Sequence, residues 1–227
     1  MKKPFWVLIL GPAFCVGSTL SIVTQESVKP KVTSEPPLAV GLLVDNSGSL
    51  RSNFSNVIEV SKGVVESSQS EDEIFLVRFI SADMIQIVND FTTEKSVLSR
   101  ALDEMYVEGG LSAITDALYV SAEHLAKKGE KAGSGHKRVL ILITDGADEN
   151  SYYRMERLLS LLREKKIRVY AVGFPQALTR QGLKVQERAK NYLTRLVEES
   201  GGRVYFPETS NEVKAVANTI FSDIRSN

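Results

Sequence analysis

The sequence predicts an α/β domain built on a doubly wound, mostly parallel six-stranded sheet, with one antiparallel edge strand and helices on both faces. Three observations lead there. Six short apolar runs alternate with helix-periodic stretches from Leu38 onward, most of these runs are continuously apolar, and only one neighbouring pair is joined by a connection too short for a crossover. Strand–helix alternation places successive strands parallel, and unbroken Val/Ile/Leu runs suit strands covered on both faces.

The runs are LAVGLLV (38–44), IFLVRFI (74–80), MIQIV (84–88), VLILIT (139–144), RVYAVG (168–173) and RVYF (203–206). Only Ser81-Ala82-Asp83 separates the second from the third, so these two form an antiparallel hairpin. Between the runs, apolar residues recur with a period of about 3.6. One stripe is Phe54, Val57, Ile58, Val64 and Val65; another is Ile114, Ala117, Leu118, Ser121 and Leu125. Met155, Leu158, Leu159 and Leu162 form a third, and Ala189, Tyr192, Leu193, Leu196 and Val197 a fourth. Val213, Val216, Ala217, Ile220, Phe221 and Ile224 form the last. Stripes of this kind face a core. No internal repeat is present, and residues 38–226 read as one domain.

The first 23 residues differ in character. Lys2 and Lys3 precede an apolar run from Phe5 to Val16, followed by the small residues Gly17, Ser18 and Thr19. That is the layout of a signal peptide, with an uncleaved membrane anchor as the alternative, because Phe5–Val23 approaches a bilayer-spanning length. Phe14 before Cys15 disfavours lipid attachment. Residues 24–37, polar and proline-containing, read as a linker. The expected location is exported: periplasmic, cell envelope or secreted, membrane-anchored if the leader stays.

Composition narrows the chemistry. Lys+Arg and Asp+Glu each total 28, a balance that speaks against a dedicated nucleic-acid binder. Cys15 is the only cysteine, which excludes an intramolecular disulfide, a thiolate zinc site and a thiol nucleophile in the body. His124 and His136 have no metal-ligand spacing and read as surface residues.

Doubly wound sheets bind ligands beyond the carboxyl ends of their strands, where the strand order reverses. With the order 3-2-1-4-5-6 that point lies between the first strand and the fourth. The first ends in Asp45-Asn46-Ser47-Gly48-Ser49 and the fourth in Asp145-Gly146-Ala147-Asp148, while Gly109-Gly110-Leu111-Ser112 can reach the same place. Asp45, Ser47, Ser49, Ser112 and Asp145 together offer two carboxylates and three hydroxyls. A hard cation such as Mg2+, or Mn2+ or Ca2+, takes such an oxygen set together with waters, whereas zinc and copper want nitrogen or sulfur.

At these residues the chain resembles the von Willebrand factor type A domain and its metal-ion-dependent adhesion site. The resemblance rests on VGLLVDNSGSL, GGLSAITDAL and VLILITDGADENS, in the family's order, and spans about residues 38–225. DFTTEK (90–95) and ESGGRVYFP (199–207) extend the likeness to a bacterial exported subgroup. It implies a Rossmann-like fold and places metal ligation on Asp45, Ser47, Ser49 and Asp145. Ser112 falls where the family usually has threonine, keeping the hydroxyl without the rotamer-limiting methyl. Thr115 is the second choice for that hydroxyl. Asp116 is expected to orient the loop, and Asp148 and Glu149 to be surface charge.

The expected function is non-enzymatic: a metal-ion-dependent binding module in which an Asp or Glu of a protein partner completes the coordination. Arg51, Phe54 and Tyr152–Arg154 would set specificity. A metal-free scaffold of the same fold is one alternative and a hydrolase the other. Asp-Asn-Ser-Gly shares a fragment with aspartic proteases and subtilases, but no second Asp-Thr/Ser-Gly, no Gly-x-Ser-x-Gly elbow and no phosphate loop accompanies it.

Overall fold

A computed structural model describes residues 36–132 and 136–226. The leader and most of the linker lie outside the described residues. Among the described residues no helix is long and apolar enough to cross a membrane. In chain order the strands are β1 (Leu38–Asp45), β2 (Glu73–Phe79), β3 (Ile85–Thr92), β4 (Lys137–Thr144), β5 (Ile167–Gly173) and β6 (Val204–Tyr205). The helices are α1 (Phe54–Ser67), α2 (Lys95–Asp103), α3 (Ile114–Ala132), α4 (Met155–Lys165), α5 (Leu183–Ser200) and α6 (Ser210–Ser226). Short 3-10 segments follow β1 (Gly48–Ser52) and β5 (Pro175–Gln181).

The sheet order is β3-β2-β1-β4-β5-β6, all pairs parallel except β2 with β3. This is the architecture the runs and stripes imply, with the antiparallel strand at one edge. All eight residues of β1 are buried, because helices cover both faces. Alternate β1 side chains feed two cores. Leu38, Val40, Leu42 and Val44 meet Val57, Val64, Ile220 and Ile224 of α1 and α6. Ala39 and Leu43 face Leu118, Leu125, Leu159 and Leu193 of α3, α4 and α5. Full burial of each such aliphatic side chain contributes about 1.5–3 kcal/mol.

Gly41, at the centre of β1, is set by packing. A Cβ there would collide with the Phe75 ring and lie 2.6 Å from Leu140 Cδ2. Gly41→Val is therefore expected to lower stability by at least about 1–3 kcal/mol, the typical cost of overpacking a core. Urea denaturation checks this; an unchanged midpoint would contradict it.

Three features depart from the sequence reading. α2 has no counterpart there: only Leu98 and Leu102 of its nine residues are buried, too few for a visible stripe. β3 runs on to Thr92, as an edge strand with no buried position. The first stripe also includes Val60 and Ser61, which are buried, whereas Phe54 and Ile58 are half-buried.

Candidate metal centre

β1 and β4 are paired neighbours whose connections leave to opposite faces, so their carboxyl ends flank a crevice. Asp45, the last residue of β1, is fully buried there. Its Oδ1 accepts the Ser47 N–H at 2.9 Å, which bends the chain sharply after the strand. Its Oδ2 accepts the Ser112 hydroxyl at 2.8 Å and the Thr144 hydroxyl at 2.6 Å. One carboxylate thus joins the first loop, the second loop and the end of β4. Ser47 Oγ and Ser49 Oγ lie 3.2 Å apart on the turn that Asp45 shapes.

Asp145 follows β4 and is also buried. Its Oδ1 accepts the Ala147 N–H at 2.9 Å, whereas its Oδ2 is buried with no hydrogen-bond partner. Gly146 makes the turn possible: its φ is +89°, and a Cβ would lie 2.9 Å from the Ala189 carbonyl and 2.8 Å from Leu193 Cδ1.

The second and third loops are held together by their backbones. The Ser112 carbonyl accepts the N–H groups of Glu149 and Asn150 at 2.9 and 3.1 Å. Asp116 uses both oxygens on the Tyr152 and Tyr153 N–H groups, each at 2.8 Å, so it orients the loop as expected. On the other side, Asn46 Nδ2 donates to the Tyr106 carbonyl at 2.8 Å, and the Glu108 N–H donates to the Asn46 carbonyl at 2.9 Å.

The five residues singled out from sequence, Asp45, Ser47, Ser49, Ser112 and Asp145, are therefore brought to one crevice. Three other expectations need correction. Asp148 is no free surface charge: it accepts the Ile114 N–H at 3.0 Å, the Ser151 hydroxyl at 2.6 Å and the Thr115 hydroxyl at 2.5 Å. It caps the start of α3, a role its acidic surroundings in Asp-Glu-Asn conceal. Thr115, the alternative hydroxyl, is committed to Asp148 and to the Tyr192 hydroxyl at 2.8 Å. Phe54 packs partly against the core, which leaves it little to offer a partner. Sequence reasoning also missed Thr144. A hydroxyl one residue before Asp145, at the end of a strand paired with β1, is the signal that could have found it.

Electrostatics set what this crevice can hold. Burial pushes the Asp45 carboxyl above its ordinary range, opposed by the Thr144, Ser47 and Ser112 hydrogen bonds. Burial, and then the charge of Asp45, push Asp145 up to about 7, although the Ser49 hydroxyl and the Ala147 N–H pull it down. Among the described residues no basic side chain bonds to either carboxylate. Two buried carboxylates, both raised by burial and one of them also by the charge of the other, with one oxygen unpartnered, suit a positive charge.

Among the described residues there is no group of three or more His, Cys, Asp or Glu side chains placed to hold a metal ion. The available donors are instead two carboxylates with serine hydroxyls, a set matched to a hard cation that keeps several waters. His124 is occupied elsewhere, 2.9 Å from Asp90 and stacked on Phe91.

Comparison with known proteins follows the same lines. The family model for the von Willebrand factor type A domain matches residues 40–219. Two curated relatives are uncharacterised proteins of Borreliella burgdorferi and Synechocystis. They are 25% and 26% identical to this chain over 131 and 140 residues, or 56% and 61% of it. The matches span only 36% and 32% of those relatives, about a third of their length. Among solved structures, an aerotolerance-related membrane protein from Bacteroides fragilis superposes with a TM-score of 0.64 at 15% identity, covering 84% of this chain and 100% of that one. The pilus adhesin SpaC from Lactobacillus rhamnosus GG gives 0.64 at 16% identity, over 85% of this chain and 30% of the adhesin. Manganese-loaded Plasmodium vivax TRAP protein gives 0.58 at 19% identity, over 82% and 74%. At these identities the structural likeness is one of fold.

Proposed function

Because the chain belongs to the von Willebrand factor type A domain family, we propose that it is an exported, metal-ion-dependent protein-binding module. Asp45, Ser47, Ser49, Ser112 and Asp145 would hold the divalent cation, magnesium or else manganese or calcium. One observation carries this reading: Asp145 Oδ2 is buried without a partner beside a second buried carboxylate, with serine hydroxyls around them. When bound, the cation supplies a positive centre that offsets both carboxylates and takes an Asp or Glu oxygen from a partner protein.

The chain's own residues preorganise that event. Asp45 is held by three hydrogen-bond donors and cannot swing out without breaking them. Ser112 is fixed through its backbone to the third loop. On the loops around the crevice, Tyr106, Leu111 and Tyr152 are 56–83% exposed, among the most exposed large apolar side chains of the described residues. Exposed apolar and aromatic residues around a polar anchor suit a protein surface better than a small metabolite. The names of the manganese-loaded TRAP protein and of the pilus adhesin agree with metal loading and adhesion, and an aerotolerance-related membrane protein agrees with an envelope location.

We read no reaction into the site. Hydrolysis at a metal needs a general base near its open position; Asp116 and Asp148 are committed to loop hydrogen bonds, and the exposed Glu149 is the one nearby carboxylate left to be tested for that role.

Affinity capture from native envelope extracts tests the reading. Partners should be retained in magnesium, released by EDTA, and not retained by Asp45→Ala. Retention that survives EDTA, together with measurable turnover, would favour an enzyme.

A further inference from the structure

Beside the crevice lies a cleft of about 510 Å³ between the two 3-10 segments, which pack against each other. Ser49 lines this cleft as well as the carboxylate cluster, so the two are continuous. The only charged side chains lining it are Arg51 and Arg180, both exposed. Neither has a hydrogen bond or ion pair to the rest of the described chain. The remaining polar lining comes from Ser52, Gln176, Thr179 and Gln181; the Thr179 hydroxyl already donates to the Gln176 carbonyl and Gln176 Nε2 to the Pro207 carbonyl, which leaves Ser52 and Gln181 as donors to a ligand. Two guanidinium groups without acidic neighbours, next to a site rich in negative charge, form a local dipole across the binding face.

We propose that this cleft is a second carboxylate subsite, so that the partner is an acidic protein segment gripped at two points. The proposal rests on the carboxylate-binding reading above and adds the partner's chemistry to it. One acidic side chain reaches the Asp45–Asp145 crevice, and a second enters the cleft and pairs with Arg51 and Arg180. Arginine suits this role because its planar fork binds a carboxylate through two parallel hydrogen bonds. Charge complementarity selects this occupant: the cleft has positive charge and donors but no acidic group to bind a cation or a basic segment. Sequence reading found Arg51, which follows the first loop directly. It missed Arg180, which sits 135 positions after Asp45 in a segment without periodicity.

The test uses the full chain in manganese and two kinds of fluorescent glycine-rich peptide, read by anisotropy. One kind carries a single Glu; the other carries two Glu separated by one to six glycines. At its best spacing the two-acid peptide is expected to bind wild type at least about tenfold more tightly than the one-acid peptide, about 1.4 kcal/mol. The R51A/R180A double variant should lose that advantage, its affinities for the two-acid and one-acid peptides becoming equal, and R51E/R180E should instead favour a Glu-Lys peptide. Equal affinity for both kinds on wild type would overturn the second subsite, yet leave the metal reading standing if one-acid binding is abolished by EDTA. Two-acid binding that survives EDTA but is lost in R51A/R180A would overturn the two-point grip and the metal reading together. Absence of binding by every peptide would overturn the proposal as well.

Discussion

Magnesium or manganese at millimolar concentration is expected to raise the melting temperature of this protein, and Asp45→Ala to abolish the rise. A ligand at 100 times its Kd stabilises the folded state by about 2.7 kcal/mol, which for a domain of this size is a shift on the order of 5–10 °C. The effect should be large because the site lies between elements rather than on one. Asp45 ends β1, Asp145 opens the turn after β4, and Ser112 sits just before α3. A cation shared by these loops would be lost only when the sheet's carboxyl end opens. Asp45→Ala also removes the acceptor for Ser47, Ser112 and Thr144, so the variant should melt lower than wild type even in EDTA. If metal moves the melting temperature of neither wild type nor variant, the domain is a metal-free scaffold.

The second large effect concerns pH in the presence of chelator. Asp145 is raised from an ordinary value of 3.8 to about 7 in the folded state, by burial first and by Asp45 second. Below about pH 4 the carboxyl is protonated whether the chain is folded or not, and it imposes no penalty. Between about 4 and 7 the unfolded chain releases a proton that the folded chain keeps, so stability falls as pH rises. Above 7 the penalty is complete, on the order of a few kcal/mol. Asp145→Asn cannot ionise, so it should be more stable than wild type at pH 8 in EDTA and should have a flatter profile between pH 4.5 and 8. Saturating magnesium should flatten the wild-type profile too, because a bound cation favours both carboxylates ionised. Melting scans across that range check this. A wild-type profile in EDTA as flat as that of Asp145→Asn would contradict it.

Much of this was legible in the chain because the relevant signals are local and repetitive. Continuous apolar runs named β1, β4 and β5, and the three-residue hairpin fixed β3 at an edge. Sheet order then placed Asp45 and Asp145 side by side although 100 positions separate them. Ser112 was recoverable because it closes the glycine-containing loop Gly109-Gly110-Leu111-Ser112 and, through the family resemblance, aligns back from Asp116-Ala117-Leu118. Other features were hidden for physical reasons. α2 buries two leucines on an otherwise polar surface, so periodicity has little to register. Asp148 looks like surface charge in Asp-Glu-Asn because its role depends on where α3 begins in space. The Pro175–Gln181 segment has neither a strand nor a helix period, yet it forms one wall of the arginine cleft.

The most direct measurement is a manganese titration followed by electron paramagnetic resonance, in which free Mn2+ gives a strong six-line signal that binding broadens. The expected result is one Mn2+ bound per chain, displaced by excess magnesium, with binding lost in both Asp45→Asn and Asp145→Asn. A free-ion signal that rises with added Mn2+ as it does in buffer, or binding untouched by both substitutions, would contradict the assignment of a cation to this crevice.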